Sequence, residues 1–458
     1  MSTGCAKLDE DLALFRALAT YEPNTADDLT LALATASERV WTADLAAYDI
    51  DGLRANVHGA LDDMFETRLA LRARIADWLA RGFMTPDTVR ALRNVFRDGR
   101  YATDMLGELV FNYALYKDGE EPLKAFEGGP LLTLVNPDYG ADGEVNYRSG
   151  DVLLVRGTTA NSAAIARSGD IDSQFSHVGL IHVDAAGTVT VSEALIETGG
   201  SVTPIGKALT DLSRAVLLRP RNRALGLTAS ALGRAYIRRS VEGRLPEIPY
   251  DFSMQPTGYR TLFCSKFVKF AYAAASNGAI VLPTFGSRLA MENRTFFEQI
   301  GVTAVDTFAP ADSELEPMFD VVAEWRDYRK TPRIRLQDVA MDSMFAWMDA
   351  HGDRLKGDTT SFLVSVLGRT AARLPRAMKR WLSFALPEVP RHMTRRSIAA
   401  VYMLHKTLAL MVDEAMQAER ASIRETGRPL HPRDVLRLYD AMRARGKGQI
   451  GYLKTPRR

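Results

Sequence analysis

The spacing of apolar residues changes twice along the chain, and these changes limit the folds that it can adopt. In residues 1–125, apolar side chains recur every three or four positions, as in amphipathic helices. Short β-rich runs follow between residues 131 and 219, separated by glycine and aspartate turns. Beyond about residue 310 the helical spacing returns. The sequence therefore predicts an α+β middle flanked by N- and C-terminal helical domains, with boundaries at 1–128, 129–310 and 311–458.

The same patterns predict individual elements. The helices expected in the N-terminal part are Asp9–Thr20, Ala26–Ala47, Ala55–Ala80 and Pro86–Tyr116. The strands expected in the middle are Leu131–Val135, Val152–Arg156, His177–Val183, Thr188–Ala194 and Ala215–Arg219. The helices expected between and after them are Ser162–Ser168, Ala229–Arg239 and Cys264–Ala275. The helices expected in the C-terminal part are Leu336–Ala350, Ser361–Phe384, Thr394–Arg424 and Pro432–Arg445.

Charge is distributed unevenly between the two ends. Residues 1–149 hold 15 Lys and Arg against 25 Asp and Glu, a net charge of −10, whereas residues 321–458 hold 27 against 14, a net charge of +13. Opposite charges favour contact between the two helical ends, and a basic end also suits an anionic partner. The basic run 369–384 interleaves arginines and lysines with apolar residues, as in a helix on an anionic membrane surface. The alternative is an ordinary bundle helix, which Pro375 would kink. Nucleic acid is an unlikely partner because no reader module is present.

Several classes of protein are excluded or disfavoured. Two distant cysteines, Cys5 and Cys264, exclude a disulfide scaffold and a cysteine-rich zinc module. Gly200–Lys207 looks like a phosphate loop, but its glycine spacing is one residue too long and no Ser or Thr follows the lysine. No signal peptide and no membrane-spanning apolar run is visible. We therefore expect a cytoplasmic protein as made, with secretion as an effector without a signal left open.

Cys264 opens one of the predicted helices. The first N–H groups of a helix and its positive dipole end favour a thiolate, and Lys266 and Lys269 add positive charge on the same helix. A nearby imidazole would favour the thiolate further and could act as general base and acid. The alternative is an inert core cysteine.

His177 opens a predicted strand and has an acid within reach. A three-residue loop ending in Gly187 would pair Asp184 with Thr188 and Gly179 with Glu193. Glu193 then shares a sheet face with His177, where its carboxylate could accept the imidazole N–H. A two-residue loop would instead put Glu193 on the opposite face. Glu197 is the alternative acid, and a core histidine is the alternative role for His177. His182 points to the other face, where a structural role is expected.

Together these motifs resemble a known family. The motifs, in chain order, are Gly150-Asp151-Val152, Ser176-His177-Val178-Gly179, Ser192-Glu193-Ala194, Pro249-Tyr250-Asp251 and Phe263-Cys264-Ser265. Their order resembles the circularly permuted papain-like amidases of the YiiX/YaeF type, within the wider NlpC superfamily. The resemblance spans Gly150 to Phe285, and its mark is a histidine that precedes the cysteine. It implies a papain-like (NlpC-type) catalytic domain in the middle of the chain.

The resemblance also implies roles. Cys264 matches the nucleophile, His177 the base, Glu193 the acid that orients the histidine, and Tyr250 a residue that assists the oxyanion or substrate. Asp151 matches a structural turn. A cysteine hydrolase that forms a thioester is implied, with no metal or other cofactor. Its substrate would be a peptide, a peptidoglycan fragment or an acyl lipid. A lipid or fatty-acyl transferase or esterase with the same site, and a non-catalytic membrane or protein scaffold, remain alternatives.

Overall fold

A computed structural model describes most of the chain. It covers residues 3–111, 133–140, 145–372 except positions 172, 211, 290 and 293, and residues 393–456. The predicted boundary at residue 128 and most of the basic run 369–384 lie outside the described residues. The three-domain division stays a prediction.

The N-terminal part is helical. Its helices are α1 (Ala6–Ala17), α2 (Ala26–Trp41), α3 (Ile50–Ala55), α4 (Val57–Ala73), α5 (Ile75–Ala80) and α6 (Pro86–Phe111). Helix α6 begins at Pro86 as predicted, because the Thr85 hydroxyl caps it by accepting the Thr88 N–H at 3.2 Å. The predicted helix Ala55–Ala80 is divided at Arg74, whose N–H donates to the Leu71 carbonyl in a tighter turn.

The middle and the C-terminal part contain the remaining helices. These are α7 (Ala160–Arg167), α8 (Ile205–Ala208), α9 (Arg223–Val241), α10 (Cys264–Ala275), α11 (Thr295–Ile300), α12 (Thr331–His351), α13 (Thr359–Ala372), α14 (Arg395–Thr426) and α15 (Pro432–Arg445). Two of the predicted helices, Cys264–Ala275 and Pro432–Arg445, have the predicted bounds. Short 3₁₀ turns occupy Leu18–Thr20, Leu45–Ala47 and Pro310–Leu315.

A seven-stranded antiparallel sheet forms the centre. Its strands are β1 (Thr133–Val135), β2 (Val152–Gly157), β3 (His177–Val183), β4 (Val189–Leu195), β5 (Gly199–Pro204), β6 (Leu212–Pro220) and β9 (Phe319–Arg326). Their order across the sheet is β1-β9-β6-β2-β3-β4-β5. Two small sheets lie apart from it. One pairs β7 (Ser287–Arg288) with β8 (Asp306–Thr307), and the other has three strands, with β12 (Leu453–Lys454) between β10 (Arg354–Leu355) and β11 (Gln449–Ile450). The predicted α+β class is confirmed.

Two strands of the sheet were not predicted. Strand β5 begins at Gly199 and takes up most of the run that looks like a phosphate loop, pairing along β4. Strand β9 lies in the region that the apolar spacing describes as helical only. Its charged residues Asp320, Glu324 and Arg326 all lie at even positions between apolar ones, which is the period of two typical of a strand. This signal was present in the sequence and was overlooked.

The N-terminal helices share a core with the sheet. Leu61 and Phe65 of α4 belong to the same buried apolar cluster as Val178 and Leu180 of β3 and Phe267 of α10. The two helical ends also meet, because Arg335 of α12 contacts Glu108 of α6 at 2.7 Å. The N-terminal helices therefore belong to the same core as the elements that carry His177 and Cys264.

A buried set of charges, here named the Glu324 cluster, ties these helices to the sheet. It consists of Glu324 and Arg326 of β9, Arg68 of α4 and Arg100 of α6, each about 2% exposed or less. Glu324 accepts from Arg68 at 3.0 Å, from Arg100 at 3.0 Å and from Arg326 at 2.7 Å. Although burial raises the pKa of Glu324, the three arginines hold it well below 4.5.

Candidate active site

The hairpin β3–β4 brings His177 beside Glu193. The ladder pairs Leu180 with Ser192 and Val183 with Val189, and the Asp184 N–H donates to the Thr188 carbonyl at 3.1 Å. This is the predicted register, so it is confirmed. His177 Nε2 lies 2.8 Å from Glu193 Oε2, and the imidazole is thereby oriented.

Two glycines make this hairpin geometry accessible. Gly187 closes the loop with φ = +81°, a conformation that favours glycine. A Cβ atom on Gly179 would lie 2.4 Å from Val191 Cγ1 and 3.5 Å from Glu193 Cβ. Gly179 therefore leaves the space through which Glu193 reaches His177.

Cys264 is the first residue of α10 and meets His177 from another part of the chain. The His177 ring and the Val178 backbone N–H lie close enough to the Cys264 thiol to lower its pKa. Because His177 Nε2 is used by Glu193, the nitrogen left for Cys264 is Nδ1. The structure thus brings together the three residues predicted as nucleophile, base and acid. Sequence reasoning missed the Val178 N–H, although Val178 directly follows His177.

The charges in the site favour a thiolate–imidazolium pair. Burial lowers the pKa of His177, but its hydrogen bonds to Cys264 and Glu193 outweigh burial and raise the pKa to about 10. Burial raises the pKa of Cys264, but the bonded and charged His177 lowers it below the ordinary value of 9.0. The His177 side chain is 23% exposed, whereas Cys264 is 3% exposed, so the imidazole edge is the more accessible part of the pair.

Tyr250 lies close to the charge on Cys264. It is buried, its ring packs edge-on against Phe252 at 5.2 Å, and it forms a parallel bridge with Leu262 just before α10. Burial and the nearby Cys264 charge raise its pKa well above 10.0, so the hydroxyl stays protonated. A protonated hydroxyl can donate to negative charge that develops at Cys264.

Other residues from the sequence analysis have structural partners. His182 bonds the Ser230 hydroxyl at 3.0 Å, and Asp151 forms an ion pair with Arg219 at 2.7 Å. Lys266 is paired with Asp251, so its charge is balanced by a partner that the sequence analysis did not identify. Glu197 is close enough to Tyr250 to affect its pKa. Glu193, not Glu197, bonds the His177 ring.

Metal binding and membrane insertion find no support in the described part of the chain. Among residues 3–111, 133–372 and 393–456, with the gaps stated above, no group of three His, Cys, Asp or Glu side chains could hold a metal ion. In the same ranges no helix is long and apolar enough to cross a membrane.

The middle of the chain matches a known family. The model of a family described as permuted papain-like amidase enzymes, YaeF/YiiX, C92 family, matches residues 146–312. This segment contains the hairpin, Tyr250 and Cys264, so the predicted resemblance of the middle of the chain is confirmed. No curated protein matches the chain significantly. The match supports a hydrolase of the papain-like amidase type.

Proposed function

We propose that the middle of the chain, which matches the permuted papain-like amidases, hydrolyses an amide bond through a thioester on Cys264. The observation that carries the proposal is the contact of Cys264, at the start of α10, with a histidine that Glu193 orients. A thiol at a helix start, beside an imidazole held by an acid, is the arrangement that covalent acyl transfer requires.

The reaction would proceed in two halves. The Cys264 thiolate attacks the acyl carbon, and the oxyanion is held by the Cys264 backbone N–H and the Tyr250 hydroxyl. His177 gives its proton to the leaving nitrogen as the C–N bond breaks. His177 then takes a proton from water, which attacks the thioester, and the C–S bond breaks to release the acid and the thiolate. Glu193 keeps the Nε2 proton in place throughout.

The same site serves a lipid ester or a fatty-acyl thioester, and transfer replaces hydrolysis when an acceptor other than water reaches the thioester. A peptide or peptidoglycan amide is the substrate that we propose, because the family match is to amidases.

The pH dependence of Cys264 alkylation tests the thiolate–imidazolium pair. We expect iodoacetamide to label Cys264 well below pH 9, because its pKa is lowered from 9.0. In His177→Ala the labelling midpoint should move upward, and because an ordinary thiol is about 1% thiolate at pH 7, the rate there should fall roughly tenfold or more. Rates are read by peptide mass spectrometry, with Cys5 as the internal control. Equal rates in both chains across the pH range would contradict the pair.

The rate of acyl transfer should fall at high pH, whereas the rate of Cys264 alkylation should not. The raised His177 pKa means that the imidazolium is fully present at neutral pH and is lost as the pH rises through about 10. Proton donation to the leaving group is lost with it, whereas the thiolate remains. Alkylation that declines together with acyl transfer near pH 10 would show unfolding instead.

We further propose that an anionic membrane surface is a partner of helix α13. Phe362, Leu363 and Leu367 are 53–59% exposed, and α13 contains no acidic residue. The Arg395 guanidinium lies over the Phe362 ring, 5.3 Å from its centre, so cationic and apolar groups are presented together. Residues 373–384 of the basic run lie outside the described residues.

Vesicle co-sedimentation tests the membrane proposal. We expect the full chain to sediment with phosphatidylglycerol vesicles at low salt, and less at high salt, because screening weakens the basic contacts. Replacing Phe362, Leu363 and Leu367 with serine should reduce sedimentation severalfold. The matched control is Leu31→Ser on α2, a leucine that is 69% exposed far along the chain. Undiminished sedimentation of the triple variant would overturn the role of α13.

A further inference from the structure

A buried ion pair joins the helix of Cys264 to the segment of Tyr250. Lys266, two positions after Cys264, is 1% exposed, and its Nζ lies 2.7 Å from Asp251 Oδ2. Asp251 directly follows Tyr250 and is 8% exposed. Burying a lysine is costly unless an opposite charge is held in good geometry beside it.

The surroundings of Asp251 fix its position from several sides. Its Oδ1 accepts the Ser253 N–H at 3.0 Å, and the Lys266 ammonium takes Oδ2. The Asp251 N–H donates to the Leu262 carbonyl at 2.9 Å, and the Leu262 N–H donates to the Pro249 carbonyl at 3.1 Å. Tyr250 is therefore clamped on both sides to a residue two positions before Cys264.

We infer that Lys266 and Asp251 are positioning residues, whose ion pair holds the Tyr250 hydroxyl where it can donate to the oxyanion formed at Cys264. The inference rests on the proposed function. The backbone hydrogen bonds to Leu262 fix the position of the Tyr250 segment relative to the start of α10. The ion pair fixes the distance between that segment and the helix. Tyr250 is close enough for the charge on Cys264 to act on it.

This role differs from supplying charge to the thiolate. Attack on an acyl group creates an oxyanion, whereas alkylation at an iodoacetamide carbon creates none. An ion pair that orients an oxyanion donor therefore affects the rate of acylation and leaves the rate of alkylation of the same thiolate nearly unchanged. An ion pair that only maintains the fold affects the rates of both reactions.

The experiment compares these two reactions in the full-length chain. Acylation is followed as the nitrophenolate burst from 4-nitrophenyl acetate, and alkylation with iodoacetamide is followed across pH to correct for the thiolate fraction. We expect Tyr250→Phe and Lys266→Met each to slow acylation about tenfold, since a single oxyanion donor contributes that much or more. Alkylation per thiolate should change less than twofold.

Three further variants separate positioning from folding. Lys266→Met with Asp251→Asn leaves no unpaired buried charge, so it should fold while still acylating slowly. Lys266→Arg keeps the ion pair and should recover most of the rate. Adding Lys266→Met to Tyr250→Phe should not slow acylation further, because both substitutions act through the Tyr250 hydroxyl. Lys207→Met, which removes an exposed lysine of α8, is the control and should behave as the unsubstituted chain.

Two results would overturn the inference alone. These are an equal slowing of acylation and alkylation in the charge-free double variant, and effects of Lys266→Met and Tyr250→Phe that multiply. Labelling of Cys264 no faster than Cys5 in the unsubstituted chain would overturn the proposed function, and this inference with it.

Discussion

Replacing Cys264 with alanine is expected to abolish acyl-enzyme formation and to lower turnover by on the order of 10³-fold or more. The reason is that the thioester forms on the Cys264 sulfur, whose pKa the neighbouring His177 lowers. Intact-mass spectrometry after mixing with 4-nitrophenyl acetate measures the loss directly, because each acylated chain gains one acetyl group.

Cys5→Ala is the matched control for this prediction. Cys5 is also buried, and its sulfur accepts the Asp49 N–H at 3.3 Å, far along the chain from the hairpin. We expect the control to acylate at the rate of the unsubstituted chain. A Cys264→Ala chain that still acquires the acetyl group at that rate would show that another nucleophile is responsible.

Replacing Glu324 with glutamine is expected to lower the free energy of unfolding by about 3–5 kcal/mol, because a buried arginine loses its carboxylate partner. Arg68 would remain buried without an ion pair, whereas Arg100 keeps Glu314 and Arg326 keeps Asp104. Urea titration followed by circular dichroism measures the change, and the midpoint should fall without a change in slope.

The pH dependence of this difference has a definite sign. The folded-state pKa of Glu324 lies well below 4.5, so its contribution is complete above about pH 4.5 and is lost only as the pH falls through the folded value. The difference in the free energy of unfolding between the unsubstituted chain and Glu324→Gln should therefore persist from pH 7 to mildly acidic pH. Glu242→Gln, which breaks a partly exposed pair with Arg238, is the control and should change stability by at most about 1 kcal/mol. A change of that size in Glu324→Gln would mean that water reaches the cluster.

Local geometry made part of the site predictable. A loop of three residues ending in glycine fixes the register of β3 and β4, and the period of two along a strand then decides which side chains share a face. Glu193 follows from His177 by these two rules alone. The start of α10 at Cys264 follows equally from the helical spacing after Phe263.

Contacts between distant parts of the chain were not predictable in this way. The meeting of Cys264 with His177 came from the family resemblance, because no local rule connects residues 87 positions apart in sequence. The partner of Lys266 was missed for the same reason. Strand β9 was overlooked despite its period of two, whereas the partners of its buried Glu324 could not be predicted locally, because Arg68 and Arg100 lie in two helices of the N-terminal part.

Strand β9 lies outside the segment that matches the family, yet it is part of the sheet that carries the site. The family match ends at residue 312, and β9 begins at Phe319, between β1 and β6 in the sheet. A fragment cut at the limits of the match would leave β6 as an open edge, whose unpaired N–H and carbonyl groups invite aggregation. Transplanting the chemistry to another protein would therefore require β9 and the N-terminal helices that supply its counter-charges, so these helices hold the sheet of the site together.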